Sequence, residues 1–190
     1  MLLDLGDTLL DESLGWYSGD PLLPGVRPTL PALAQRYRLG ILSNTVKTGR
    51  EDMAVHLERF GIATWFHAIV TSVDLGWRKP HPLAFEAALS ALNADPAAAV
   101  MVGNDLQADI AGAKAFGLRT VHFRWSPRYR DTPGSEGERA TAVISRFDEL
   151  PAALRRVEGS APPPRTSYVD ESTLFREEEE SPQEEGNHAV

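Results

Sequence analysis

Met1-Leu2-Leu3-Asp4-Leu5-Gly6-Asp7-Thr8-Leu9 opens the chain with a short apolar run that ends in a carboxylate, a glycine and a second carboxylate. Four more apolar runs follow, at Leu39 to Leu42, Ala68 to Thr71, Ala98 to Val102 and Arg119 to Phe123. Segments of helical period lie between and after them, at about 27–37, 49–60, 82–92, 106–116 and 147–156. Short apolar runs alternating with helical segments are the pattern of a parallel sheet covered by helices. The chain is therefore expected to form a doubly wound, Rossmann-like α/β domain with five parallel strands. In such sheets ligands bind beyond the carboxyl ends of the strands, so the residues just past each run are the ones that decide function.

Those residues are rich in chemistry. Asp4 through Leu9 follow the first run, Ser43-Asn44-Thr45 the second, and Gly103-Asn104-Asp105 the fourth, with Asp109 shortly after; Arg78-Lys79-Pro80 precedes the 82–92 helix. Carboxylates from two strands can hold a hard cation such as Mg²⁺, which binds through one or two carboxylates plus water and substrate phosphate. A lysine and a hydroxyl supply further counter-charge and hydrogen bonds, and an ionised aspartate can attack phosphorus to give an aspartyl-phosphate.

In order and spacing these pieces resemble the four motifs of the haloacid dehalogenase superfamily, in its phosphatase-like branch, over about residues 1–157. The flanking text agrees in Pro24-Gly25-Val26, Arg78-Lys79-Pro80-His81-Pro82 and Asp109-Ile110-Ala111-Gly112-Ala113-Lys114. The resemblance implies a Mg²⁺-dependent phosphomonoester hydrolase with Asp4 as nucleophile and Thr8 as a backbone-organising, phosphate-side residue. Ser43 would donate to the phosphate with Asn44 beside it, and Lys79 would steady the nucleophile and the transferred group. The magnesium site would take the Asp4 carboxylate, the Gly6 carbonyl and Asp105, with Asn104 or Asp109 alongside.

The chain departs from the family pattern at two points. Gly6 stands where most relatives carry a second aspartate that protonates the leaving group and then activates water, an assistance worth about 10²–10⁴-fold. Asp7 either serves in its place through a water or is a turn residue accepting backbone hydrogen bonds. Asn104 stands where many relatives have an aspartate, which leaves Asp105 as the ligand if the register slips by one; Asp109 is either a ligand or a carboxylate favoured by a helix N-terminus. These departures keep open an alternative: a catalytically weakened scaffold serving as a phosphate- or partner-binding module.

The rest of the chain bounds the reading. With 190 residues, 42% of them hydrophobic, one domain is expected, over 1–157. Residues 158–190 hold nine acidic and two basic side chains, which leaves the remainder nearly neutral. This segment is expected to be a disordered acidic tail, with Leu174 and Phe175 as its anchor if it docks on a basic partner. The chain has no cysteine and no apolar stretch near the roughly 20 residues of a membrane span, so a cytoplasmic protein without a membrane partner is expected.

Neither Leu10 to Gly40 nor Val46 to Arg78 has room for a lid domain. The open crevice then calls for a macromolecular phosphoester or a homo-oligomer that covers it, with Trp16 and Tyr17 either giving some cover or packing on the domain edge. The cluster Arg124-Trp125-Ser126-Pro127-Arg128-Tyr129-Arg130 sits in a loop near the same edge. The near-neutral folded part argues against nucleic acid as its target. The five histidines show no metal-ligand spacing, and His81 reads as a spacer between two prolines.

Overall fold

The computed structural model describes residues 1–14 and 19–166. Six strands, β1 (Leu2–Leu3), β2 (Leu39–Ser43), β3 (Phe66–Thr71), β4 (Val100–Gly103), β5 (Arg119–Phe123) and β6 (Ala142–Ile144), form one sheet in the order β3-β2-β1-β4-β5-β6. Every pairing is parallel. The doubly wound α/β class is the expected one, with one strand more than the five expected. β6 is three residues long and carries no alternation that separates it from the loop before it.

Helices α1 (Val26–Ala34), α2 (Arg50–Arg59), α3 (Ser72–Leu75), α4 (Pro82–Leu92), α5 (Gly112–Ala115) and α6 (Leu150–Glu158) cover both faces of the sheet. Leu2 and Leu3 of the central strand enter opposite layers, as neighbouring strand residues must. Leu3, Ile41, Val102 and Val121 pack with Leu30 of α1, Met53 and Leu57 of α2, and Leu154 and Val157 of α6. Leu2, Leu42 and Met101 pack with Phe85 and Leu89 of α4 and with Ala113 and Phe116. Burial on both faces is why these strands read as continuous apolar runs without alternation.

Local chemistry sets the ends that matter. α4 starts with Pro82 at its first turn, and the His81 ring accepts a hydrogen bond from the Leu83 N–H at 3.3 Å while stacking on Trp77 at 3.9 Å. His81 thus caps a helix beside Lys79. The helix expected over 106–116 is divided: Leu106–Ala111 is π-helical and runs into α5. In that stretch the Ile110 N–H reaches back five residues to the Asp105 carbonyl at 3.2 Å. Such wide turns recur at functional sites, and this one carries Asp109.

Between β1 and α1, Leu10 bridges Leu22 antiparallel, and the Leu23 N–H bonds the Leu9 carbonyl at 2.9 Å. The hairpin-like segment expected there is present; Trp16 and Tyr17 lie outside the described residues. Between β2 and α4 the chain forms only α2, a single 3₁₀ turn, β3 and α3, so no lid domain interrupts the described residues. Past α6, residues 159–166 run back along α5, where the Thr166 N–H bonds the Ala115 carbonyl at 3.0 Å and the Arg165 guanidinium lies over the Phe116 ring at 4.1 Å. The expectation of a disordered tail over 158–190 is thus corrected for residues 158–166, which α6 and the contacts with Ala115 and Phe116 hold in place; the rest of that segment, with Leu174 and Phe175, falls outside the described residues.

Candidate active site

β1 lies between β2 and β4, where the strand order reverses, and a polar cavity of about 150 Å³ opens at the carboxyl ends of these strands. Asp4, Gly6, Ser43, Asn44, Lys79, Asn104, Asp105 and Asp109 all line it. Four segments far apart in sequence thus deliver their chemistry to one place.

Lys79 is at its centre, buried at 3% exposure. Its Nζ donates to Asp4 Oδ1 at 2.6 Å and to Asp109 Oδ1 at 2.7 Å. Burial alone would lower the Lys79 pKa, but the Asp109 and Asp4 carboxylates outweigh it and hold the ammonium above its usual value. Burial raises Asp4 although Lys79 opposes it, and burial raises Asp109 with the Asp4 charge adding to the effect. Two carboxylates share one ammonium, so with both ionised the cluster carries one negative charge in excess.

The surroundings fix this cluster. Asn44 holds the Lys79 backbone with both ends of its amide, Nδ2 donating to the carbonyl at 2.9 Å and Oδ1 accepting the N–H at 2.8 Å. Asp109 Oδ2 accepts the Asp105 N–H at 2.9 Å. Gly103 leaves room for this approach, since a Cβ there would stand 2.6 Å from Cβ of Asp109 and nearer still to its carboxylate. Thr8 is fully buried behind Asp4, its hydroxyl 3.5 Å from Asp4 Oδ2 and 3.2 Å from Asn104 Oδ1. Asp105 Oδ1 accepts the N–H groups of Gln107 and Ala108, each at 2.8 Å, and so caps the π-helical stretch.

The Asn104 amide and the Ser43 hydroxyl are placed to donate to a ligand. Nδ2 of Asn104 is buried in the cavity wall without a hydrogen-bond partner among the described residues. The Ser43 hydroxyl, at the end of β2, also makes no hydrogen bond among them. Behind Asn104, Nε2 of His122 lies 3.2 Å from the Asn104 carbonyl, which can only accept, so Nε2 carries the proton. Burial holds the His122 pKa down and keeps the ring neutral.

Other residues at the site have partners that the sequence did not reveal. Asp7, at φ 49°, is fully buried; both its oxygens meet Nη2 of Arg128, and Oδ1 accepts the Glu12 N–H at 3.2 Å. That is the turn role foreseen for Asp7, with a guanidinium added. Tyr129 lines the cavity next to Arg128, and its pKa is raised by burial and then by the negative charges of Glu12, Asp4 and Asp7, so the phenol stays protonated. The aromatic and basic loop was visible in the sequence, but its partners were not. Glu12 lies over Gly6: a Cβ on that glycine would be 2.8 Å from Cγ of Glu12 and closer to its carboxylate. A groove of about 540 Å³, lined by Leu10, Pro21, Val46 and Thr48 among others, joins the polar cavity along Gly6, Glu12, Ser43 and Asn44.

A sequence profile described as haloacid dehalogenase-like hydrolase matches residues 2–117. The chain belongs to this family of hydrolases. It is 36% identical over 141 residues to a glyceraldehyde 3-phosphate phosphatase of Pyrococcus furiosus, covering 73% of this chain and 56% of the relative. A ribulose-1,5-bisphosphate 5-phosphatase of Halopiger xanaduensis is 40% identical over 121 residues, covering 64% and 48%. The chain thus spans about half the length of these curated relatives. Among solved structures, an uncharacterized protein from Listeria monocytogenes serotype 4b superposes with a TM-score of 0.68 at 26% identity, over 83% of this chain and 97% of the other. The HAD-hydrolase YfnB from Bacillus subtilis, bound to magnesium, superposes with a TM-score of 0.61 at 26% identity, over 72% and 57%.

Among the described residues no three His, Asp or Glu side chains form a metal cage. The crevice of this haloacid dehalogenase-like hydrolase instead offers Asp4, the Gly6 backbone and the oxygens of Asn104 and Asp105. An all-oxygen set with few protein ligands and one excess negative charge fits Mg²⁺, which keeps several of its waters. No helix among the described residues is long and apolar enough to cross a membrane.

Proposed function

We propose that the protein is a Mg²⁺-dependent phosphomonoester hydrolase that works through an aspartyl-phosphate on Asp4. The observation that carries this reading is the buried Lys79 ammonium, bonded at once to Asp4 and Asp109 at the head of the crevice. Lys79 favours the ionised form of Asp4 against its burial and aims it, as an attacking carboxylate must be. The Ser43 hydroxyl and the unpartnered Asn104 Nδ2 donate to phosphoryl oxygens, where fixed donors stabilise developing charge. Asn44 contributes by holding Lys79, and Thr8 by holding Asp4 and Asn104 in register.

The Asp4 carboxylate, the Gly6 carbonyl and Asp105, with Asn104 or Asp109 beside it, would hold Mg²⁺, which would supply further positive charge at the phosphate. The substrate is a phosphate monoester whose organic part lies in the 540 Å³ groove next to the polar cavity. That volume suits a metabolite, and relatives named as sugar-phosphate phosphatases agree with it. The loop bearing Arg128 and Tyr129 gives part of the cover that a lid would give. Residues 1–157 form the catalytic unit, with 158–166 packed along it, and the cysteine-free chain works in the cytoplasm.

The test is phosphate release from an aryl phosphate and a panel of metabolite phosphates, with Mg²⁺ and with chelator, on the native protein and on Asp4→Asn. Release that needs Mg²⁺ and disappears in the variant supports the reading. Release retained by Asp4→Asn refutes the nucleophile, and Mg²⁺ binding absent by calorimetry favours the binding module.

A further inference from the structure

Breaking a phosphate ester of an ordinary alcohol leaves an alkoxide, and the departing oxygen needs a proton as the bond breaks. Hydrolysis of the resulting acyl phosphate needs that proton taken from water. The described residues leave few candidates. Lys79 is committed to Asp4 and Asp109, and Asp7 is committed to Arg128. His122 faces the Asn104 carbonyl, outside the cavity lining.

Of the four carboxylates lining the polar cavity, Asp4, Asp105 and Asp109 accept hydrogen bonds that fix their places. The fourth, Glu12, accepts none from a described residue, and its side chain is exposed. It arrives from the hairpin between β1 and α1. The Asp7 carboxylate binds the Glu12 N–H at 3.2 Å and is anchored by Arg128, so two otherwise unexplained residues hold the backbone that presents it.

Its carboxylate occupies the space that a side chain on Gly6 would fill. Glu12 also belongs to both cavities: the polar one that would hold the phosphoryl group and the groove that would hold the organic part. The scissile P–O bond must cross the junction of the two, which is where this carboxylate lies.

We propose that Glu12 is the general acid and base of the reaction, a carboxylate delivered from six residues downstream into the space left open at Gly6. The inference rests on the aspartyl-phosphate reading above. Asp4 attacks phosphorus, and the P–O bond to the leaving group breaks with its electron pair going to that oxygen, which takes the proton of the Glu12 carboxyl group. Water then attacks phosphorus, giving its proton to the Glu12 carboxylate, and the P–O bond to Asp4 breaks. Inorganic phosphate leaves with Asp4 ionised and Glu12 protonated, as at the start.

The experiment compares 4-nitrophenyl phosphate with glycerol phosphate on the native protein, Glu12→Gln, Gly6→Asp, the double variant Gly6→Asp/Glu12→Gly, and Asp4→Asn. Nitrophenolate leaves without a proton, so Glu12→Gln is expected to release about one equivalent of it in a burst and then turn over slowly. On glycerol phosphate the same variant shows no burst and a kcat lower by about 10²–10⁴-fold. The double variant, which moves the carboxylate to the neighbouring backbone position, recovers turnover of glycerol phosphate, and Gly6→Asp alone, which displaces the flexible tip of Glu12 and puts a carboxylate in its place, keeps it. Calorimetry with Mg²⁺ alone shows Glu12→Gln binding like the native protein.

Glu12→Gln turning over both esters within about twofold of native overturns the proposal, as does a loss of Mg²⁺ affinity large enough to account for the whole fall. Asp4→Asn separates the two readings. If it keeps native turnover while Glu12→Gln loses it, the nucleophile is wrong and the acid–base role stands. A native protein silent on both esters overturns both.

Discussion

The side-chain amide of Asn44 and the backbone of Lys79, 35 residues apart in sequence, hold each other through two hydrogen bonds of 2.9 and 2.8 Å. One amide satisfies the carbonyl and the N–H of the residue whose ammonium organises the crevice. Its position just past β2 lets it do so, because the loop before α4 passes alongside. Asn44→Ala leaves both backbone groups unpaired in a part-buried place, which costs about 1–3 kcal/mol. Chemical denaturation checks that figure. Because the Lys79 ammonium loses its fixed approach to Asp4, kcat is expected to fall by about 10- to 100-fold, with KM less affected, since a misplacement of about 1 Å at a reacting centre can cost that much. A fall confined to KM assigns Asn44 to substrate contact instead.

Arg128 and Asp7 predict a non-additive pair. Asp7 is fully buried, whereas the Arg128 side chain is 45% exposed. Removing the guanidinium leaves a buried carboxylate with the Glu12 N–H as its remaining partner. Arg128→Ala is expected to lower stability, moderated by solvent at the exposed arginine. Asp7→Asn/Arg128→Ala recovers much of the loss, because no charge is stranded. Urea unfolding of the two single variants and the double variant measures the coupling, and simple additivity of the two effects contradicts a direct pair.

Gly103 predicts a clash with a defined victim. A Cβ there meets the Asp109 side chain from 2.6 Å inward, with no flexible tip to give way. Gly103→Ala therefore pushes Asp109 from Lys79, and both stability and phosphate release fall. Gly103→Ala/Asp109→Ala is expected to recover stability but not release, by thermal unfolding and steady-state assay. Stability left low in the double variant means that β4 itself, and not Asp109, rejects the methyl group.

What the sequence carried depended on whether the signal was local. Leu2-Leu3, Leu39 to Leu42 and Val100 to Val102 are buried on both faces, and unbroken apolar runs betray that directly. Asp4, Ser43, Asn104 and Asp105 were legible because the doubly wound topology sends residues past strand ends to one crevice, and Lys79 and Asp109 because the motifs around them resemble those of the family. Glu12 was not, because its place over Gly6 depends on how a hairpin without regular structure folds back. β6 was too short to register, and the π-helical turn at Leu106–Ala111 keeps the apolar spacing of an ordinary helix. Arg128 stood out as part of a basic loop, but its pairing with Asp7 across 121 residues is a tertiary fact.

The last prediction concerns the excess charge around Lys79. Asp4 and Asp109 both have pKa values raised by burial, so the folded protein holds protons on them more firmly than the unfolded chain does. Raised carboxylates contribute stability that is fully present below the ordinary carboxylate range and is lost as the pH rises through their folded values. In Mg²⁺-free buffer the native protein should therefore lose this contribution between acidic and neutral pH. In Asp4→Asn the neutral amide can still accept from Lys79, and Asp109 has the ammonium's charge to itself. The variant is expected to have the higher Tm at neutral pH without metal, and the advantage shrinks as the pH falls and the native carboxylates take up protons. Other titrating groups affect both proteins alike, so the difference between their Tm values isolates the site. Mg²⁺ at neutral pH should raise the native Tm and move Asp4→Asn much less, because the cation offsets a charge that the variant lacks. Thermal unfolding of both proteins across this pH range, with and without Mg²⁺, reads all of these effects; parallel Tm curves would show that Asp4 carries no such strain.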